Sequence, residues 1–340
     1  MKDDLKRILN RPLEIGGKLV DKRLILAPMA RIGNLAFREL VLSFGGCGLV
    51  FSEMTNARSI PSAKGYGSSG FRWNRRELPR LVCQIYGNEP EIMARAARYV
   101  EEEGFFGLDI NFGCSAATIC KKNLGAALLR DPILAEKIVS SVRKVIKIPL
   151  FVKYRAGWRN EPVVAVELAK RFEQAGADAL TFHPRVAPDM RTRPARWRYL
   201  GDVKSAVSIP VFGNGDVFDG KGCLRMLSQT GCDGVALGRL AASAPWVFAE
   251  WTGDFKPGKE LYMEASFKMA ELLSKYFEQK VALRRFRLFS TYFAANFRFG
   301  HSFRSKILKA ESMDEIRETL SRFFGKEPDI ASSPNIALFR

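Results

Sequence analysis

Eight short, nearly uninterrupted apolar runs recur in the chain, at 24–28, 48–54, 81–86, 107–112, 148–154, 178–183, 209–213 and 232–237. They do not alternate with polar residues. Strands buried on both faces, as in a parallel sheet, read this way. Between them lie stretches with helical spacing, including 34–44, 89–103, 132–146, 162–175 and 219–230. Segment 89–103 opens on Glu89 and Pro90 and is followed by Gly104, which is start and stop chemistry for a helix. Eight strands joined by crossover helices predict a (β/α)8 TIM barrel, an architecture of roughly 250 residues. A doubly wound sheet is the alternative, but it usually carries fewer strands.

After residue 250 no further strand is evident, and 260–280 and 306–324 have amphipathic helical spacing. Residues 252–258 are turn-rich. The expected organisation is a barrel over 1–252, a small helical domain over 253–325 and a loosely packed tail over 326–340. The chain of 340 residues is 47% hydrophobic and 26% charged, which supports a large core and excludes disorder and coiled coil. No apolar run reaches the roughly 18–20 residues of a membrane span. The N-terminus lacks the apolar stretch of a secretory signal. The six cysteines (Cys47, Cys83, Cys114, Cys120, Cys223 and Cys232) and two histidines show no zinc spacing. Reduced thiols in a cytoplasmic protein are expected, with no metal and no membrane partner.

Lysine and arginine number 54 against 36 acidic residues, a net charge of +18. A field of this sign favours a polyanionic partner, nucleic acid first. Residues 280–309 contain Lys280, Arg284, Arg285, Arg287, Arg298, Arg304, Lys306 and Lys309 with no acid among them. Phe286, Phe289, Tyr292, Phe293, Phe297, Phe299 and Phe303 are interleaved. The aromatic residues are expected to form helix core and the cations a face for RNA phosphates. A solvated charged face with no partner is the alternative. The loop 184–198 adds Arg185, Arg191, Arg193, Arg196 and Arg198 at the barrel mouth.

In a barrel of this kind the chemistry gathers at the C-terminal ends of the strands. Polar or flexible residues stand there repeatedly. Ala27, Pro28 and Met29 end the first strand and Gln84 lies on the third. Asn111 and Cys114 end the fourth, Lys153 and Arg155 the fifth, His183 and Arg185 the sixth. Gly213-Asn214-Gly215-Asp216 and Gly238-Arg239 follow the seventh and eighth, the usual phosphate site of a barrel. Glycine lets backbone N–H groups approach phosphate, and arginine adds a charged fork; ordinary turn glycine is the alternative for either motif alone. A lysine on an apolar strand suggests an anionic partner. His183 alone reads as readily as a satisfied core residue. Cys114, in a loop near cations, has the setting of an acid or nucleophile.

The motifs resemble tRNA-dihydrouridine synthases over roughly residues 14–310. The matching stretches are APMA (27–30), CQIYGNEPE (83–91), LDINFGC (108–114), GAALLRDP (125–132), VKYRAGW (152–158), LTFHPR (180–185), IPVFGNGD (209–216), GVALGR (234–239) and RLFSTYFAANFRFG (287–300). The resemblance implies FMN across the barrel mouth. Ala27, Pro28 and Met29 would line it, and Gln84, Lys153 and His183 would contact its ring or ribityl chain. Asn214, Gly215, Asp216, Gly238 and Arg239 would hold the ribityl chain and phosphate. It also implies Cys114 as general acid, Asn111 and Arg155 on the uracil edge, NADPH as reductant and tRNA as substrate. A monomer is expected. Ser115 and Pro184 depart from the family's usual proline and glycine, and Cys120 is a possible substitute acid. Two other readings are a reductase of free pyrimidines or another small molecule, and a tRNA-binding protein without catalysis.

Overall fold

The computed structural model describes residues 2–60, 71–189 and 193–339. Eight parallel strands form the barrel: Leu24–Leu26, Val50–Phe51, Leu81–Tyr86, Gly107–Phe112, Leu150–Arg155, Ala179–His183, Val211–Asn214 and Gly234–Leu237. Each pairs with the next, and the eighth pairs with the first. The predicted run 48–54 is shorter than expected and is followed by a two-residue extension, Thr55–Asn56. The reason is local: the Ser52 hydroxyl takes the backbone N–H of Gln84, in competition with the ladder. The helices Leu35–Phe44, Pro90–Glu102, Pro132–Arg143, Pro162–Gln174 and Gly220–Thr230 lie where the helical spacing put them. Gly104, at φ +83°, follows the second of these.

Side chains alternate along each strand, so the barrel has two apolar surfaces. Leu108, Ile110, Phe112, Val152 and Leu180 belong to the outer core under the helices. Ile25, Phe51, Val82, Phe151, Ala179, Phe212 and Ala236 form a separate interior cluster. That cluster includes Ile15 and Val20 from an antiparallel hairpin, Leu13–Ile15 with Lys18–Val20. Its two-residue turn, Gly16-Gly17, has φ of +55° and +75°, which glycine adopts without strain. The hairpin is not among the strands expected from the sequence, because three-residue strands are too short to announce themselves by alternation.

The C-terminal region is helical: Glu260–Tyr276, Gln279–Phe293, Gly300–Lys309 and Met313–Phe324. The basic segment 280–309 is thus mostly two helices. Much of its aromatic set forms core, with Phe286, Phe289, Phe293, Phe297 and Phe303 buried, while Phe299 is exposed. Phe37, on the first long barrel helix, meets Phe289 at a centroid distance of 6.3 Å. The tail is mostly exposed but is pinned at several points. Arg298 N donates to Asp329 O, Ala331 N to Asn296 O and Asn335 N to Ala295 O. Leu338 and Phe339 are buried, and the Phe339 ring lies 5.6 Å from that of Phe218. Burying one phenylalanine is worth about 1.5–3 kcal/mol, enough to anchor a short segment. Among the described residues no helix is long and apolar enough to cross a membrane.

One buried ion pair fastens the first long helix to the barrel. Arg38 Nε and Nη2 donate to the two Glu77 oxygens at 2.9 Å each, with side chains 1% and 2% exposed. Removing one partner leaves a buried charge uncompensated. Glu77→Ala is therefore expected to lower unfolding stability by about 3–5 kcal/mol in urea titration; a loss below about 1 kcal/mol, the worth of a surface pair, would contradict this account.

Candidate active site

The period of two carries the interior's chemistry upward. Val82, Phe151 and Phe212 point into the barrel, so Gln84, Lys153 and Asn214, two residues on, point the same way. Asn111 is paired in register with Lys153, and Arg155 with His183. Above them opens a cleft of about 1110 Å³. Ala27, Pro28, Met29, Gln84, Cys114, Lys153, Arg155, His183, Arg185, Asn214, Gly215, Asp216, Gly238 and Arg239 all line it. The cleft is slightly larger than the roughly 300–1,000 Å³ of ordinary small-molecule sites.

Cys114 is held from two sides. Asn111 Oδ1 accepts the backbone N–H of Gly113 at 3.0 Å and that of Cys114 at 2.9 Å. Arg155 Nε donates to Gly113 O at 2.9 Å. The Cys114 carbonyl accepts from Ala126 N at 2.9 Å, and the Cys120 thiol points at it from 3.5 Å. Asn111 was expected on the uracil edge. It lies beneath the loop, 7% exposed, with its amide bonded to Gln84 and to the two loop N–H groups. Cys120 does line the cleft; burial pushes its thiol up, as does neighbouring Cys114. Cys47 and Cys83 are core thiols that burial pushes up to about 12.

The opposite wall is cationic. Arg185, 2% exposed, places Nη2 2.6 Å from both Asp216 oxygens and Nη1 2.9 Å from His183 Nε2. Arg239 Nη2 reaches Asp216 at 3.1 Å. Asp216, at φ +57°, also accepts from Ala195 N. Its carboxylate is spent on these groups, so Asp216 positions the arginines instead of offering itself to a phosphate. Arg185, expected on the RNA, is sealed in this pair. Since Arg185 donates to His183 Nε2, that nitrogen accepts and the ring is neutral. Burial holds His183 well below its usual range, reinforced by Arg155, Lys153, Arg185 and Arg239. Burial likewise pulls Lys153 down, and Arg155 adds to it.

Several residues at the cleft were not expected from the sequence. Trp158 donates from Nε1 to Ala126 O at 2.6 Å and carries Arg130 on its face at 3.4 Å. A tryptophan directly after a barrel strand was the available signal. Phe218 and Tyr292 line the cleft and pack on Phe339 from the tail. No local pattern signals that contact.

The basic helices divide. Lys280, Arg284, Arg298, Lys306 and Lys309 are exposed. Arg287 donates to Ala310 O and Arg304 Nε to Thr291 Oγ1, and both are half-buried. Arg285, expected on the RNA face, is buried: it donates to Arg31 O at 2.9 Å and Glu53 Oε1 at 3.1 Å and lies over Phe277. It joins the helical region to the barrel. In the mouth loop, Arg193 and Arg196 pair with Asp189, Arg198 is exposed, and Arg191 lies outside the described residues.

The residues fit a flat, anionic cofactor. A Cβ at Gly215, where φ is +119°, would come within 2.9 Å of His183 Cδ2, and one at Gly238 within 3.3 Å of Met29 Sδ. Both positions keep backbone open to the cleft, and Lys153, Arg155 and Arg239 supply positive charge around it. Such a cleft lies at the C-terminal end of eight parallel strands, where (β/α)8-barrel enzymes carry their active sites. The family described as dihydrouridine synthase (Dus) matches residues 25–327, and the chain belongs to that family. A "tRNA-dihydrouridine synthase B" of Pseudomonas aeruginosa is 32% identical over 332 residues, covering 92% of this chain and 96% of the relative. A "Probable tRNA-dihydrouridine synthase 1" of Synechocystis sp. is 34% identical, covering 74% and 70%. Among solved structures, the old yellow enzyme from Trypanosoma cruzi shares the fold with a TM-score of 0.53 at 12% identity, covering 75% of this chain and 95% of that one.

The neutral His183 has a consequence for stability. Below its usual value of 6.5 the unfolded chain takes up a proton there that the folded chain does not. The unfolded state then binds more protons, so stability falls as the pH drops below about 6.5 and is unaffected by this group above it. Thermal melts of His183→Gln between about pH 6.5 and 5 are expected to fall less steeply than those of the unaltered protein. Parallel profiles would show that His183 charges freely.

Proposed function

We propose that this protein reduces the C5=C6 bond of uridine in tRNA to dihydrouridine, with FMN as cofactor and NADPH as electron source. The observation that carries the reading is Cys114 at the wall of a cationic cleft, held by Asn111 on its N–H side and by Arg155 on the carbonyl of the residue before it. The relatives' names and the family match support it. So does the exposed cationic face of the C-terminal helices, which a small free substrate would not require.

The residues divide the work. Arg239, held by Asp216, would take the phosphate, with the open backbone at Gly215 and Gly238 beside it. Gln84, Lys153, His183 and Asn214 would meet the ring and ribityl chain, with Ala27, Pro28 and Met29 along one wall. FMN, when held there, would supply the hydride equivalent for C6. Cys114 gives the proton to C5, and its thiolate is reprotonated from solvent through the open cleft. Lys153 provides positive charge at the base of the cleft, where negative charge accumulates during turnover. The uridine has to leave its stack to enter, so the exposed arginines grip the surrounding RNA.

Two measurements test this. Cys114→Ala is expected to lower dihydrouridine formation by about 100-fold or more, the usual contribution of a general acid, while reduction of the bound flavin by NADPH is unchanged. Dihydrouridine at the unaltered rate would move the acid to Cys120 or to water. Charge reversal at Arg284 and Arg298 is expected to weaken tRNA binding and to reduce the salt slope by about 0.7–0.9 for each phosphate no longer neutralised. An unchanged slope would make that face a solvated one.

A further inference from the structure

Asp109 is a fully buried carboxyl inside the barrel that none of the steps above uses. It lies on the strand Gly107–Phe112, one side-chain level below Asn111. Its Oδ2 accepts from Gln84 Nε2 at 2.6 Å, and its Oδ1 has no hydrogen-bond partner among the described residues. Gln84 Oε1 in turn accepts from Asn111 Nδ2 at 2.9 Å. Asn111 Oδ1 then accepts the two N–H groups of Gly113 and Cys114. Three side chains on two adjacent strands thus connect the barrel interior to the backbone of the loop that carries the thiol.

The direction of this chain is the informative part. An amide side chain has one donor end and one acceptor end, and a 180° turn exchanges them. Either amide turned the wrong way would set donor against donor or acceptor against acceptor. An ionised carboxylate accepts only. With Asp109 at the lower end, Gln84 must turn its NH2 downward and its oxygen toward Asn111. Asn111 must then turn its NH2 toward Gln84 and its oxygen toward the loop. Two converging N–H groups at the top require that same orientation, so the two ends agree. Burial pushes the Asp109 carboxyl up to about 7, and the Gln84 N–H and the charge of Lys153 offset only part of that. The two loop N–H groups at the upper end impose the same amide orientation whichever way Asp109 is charged.

We propose that Asp109 is a positioning residue that sets the orientation of the Gln84 and Asn111 amides and thereby holds the Cys114 loop in place for proton transfer. The assignment rests on the dihydrouridine synthase reading for its catalytic consequence, but the hydrogen-bond relay itself does not. Gln84 also lines the cleft, so one carboxylate orders both a cofactor contact and the thiol loop.

The test is hydrogen–deuterium exchange on the holoenzyme, read at the peptide containing Gly113 and Cys114, together with single-turnover dihydrouridine formation by pre-reduced enzyme. Asp109→Leu removes the acceptor and leaves the Gln84 N–H and the Lys153 charge without it, so a loss of stability accompanies the change. Exchange at Gly113 and Cys114 is expected to rise about tenfold, the factor carried by one ordinary hydrogen bond, with exchange in the strand Leu150–Arg155 unchanged. Single-turnover reduction is expected to slow by a similar factor while the tRNA dissociation constant stays the same. Asp109→Asn, which keeps the shape and one acceptor, is expected to shift both readouts the same way by less, and it carries the test if the leucine variant does not fold. Exchange unchanged at Gly113 and Cys114, or raised throughout the barrel, would overturn the assignment. A weaker tRNA affinity in place of a slower rate would overturn it too. If the unaltered protein makes no dihydrouridine, the functional reading fails while the exchange result still decides the relay.

Discussion

Closure of the parallel sheet, through the pairing of Val50 and Phe51 with Leu81 and Val82, is the constraint on which the rest of the molecule depends. Once eight strands close, every second side chain has nowhere to go but inward. The lower interior then needs apolar residues, and Phe51, Val82, Phe151 and Phe212 fill it. The hairpin below closes the barrel floor with Ile15 and Val20. Polar interior residues are tolerated only toward the open end, where ligand and solvent reach them. Asp109 is the exception that lies deeper, and its nearest partners are the amide of Gln84 and the charge of Lys153.

The charge pattern at the mouth follows from the same enclosure. Lys153, Arg155, Arg185 and Arg239 crowd one cleft, and like charges at such separations repel strongly where water is scarce. Asp216 offsets part of that repulsion by binding two of the arginines at once. His183 contributes by staying neutral. The arrangement still leaves an excess of positive charge, which favours an anionic ligand over a neutral one. A phosphate group and the electron-rich edge of a reduced flavin both meet that requirement.

The helical region is bound into the barrel and is not an appendage. Arg285 reaches Arg31 O and Glu53, and Arg31, at φ +66°, stands directly after the segment Ala27–Ala30 that lines the cleft. Phe339 packs on Phe218 and Tyr292 at the same mouth, and its carbonyl accepts from Arg239 at 3.3 Å. The helices that carry the exposed cations are thus in direct contact with the loops that shape the site. A polyanion gripped by those cations is held at a fixed place relative to the cleft.

By itself the sequence determined the strand and helix order, the barrel, and the edge of the barrel on which chemistry collects. These are legible because strand period, helix caps and turn glycines are local properties that neighbouring residues decide. It also determined that most named residues would meet: Cys114, Lys153, His183, Asn214 and Arg239 do share one cleft. Which charges are spent and which remain exposed depends on the folded arrangement. Arg185 and Arg285 read in the sequence like Arg284 and Arg298, yet the first two are sealed against Asp216 and Glu53 while the others face solvent. The same holds for Asn111, turned to the loop, for the anchoring of the tail by Leu338 and Phe339, and for Asp109, whose partner Gln84 lies on another strand. Ion pairing, burial and amide orientation depend on groups far apart in the chain, and one-dimensional order does not record who their neighbours are.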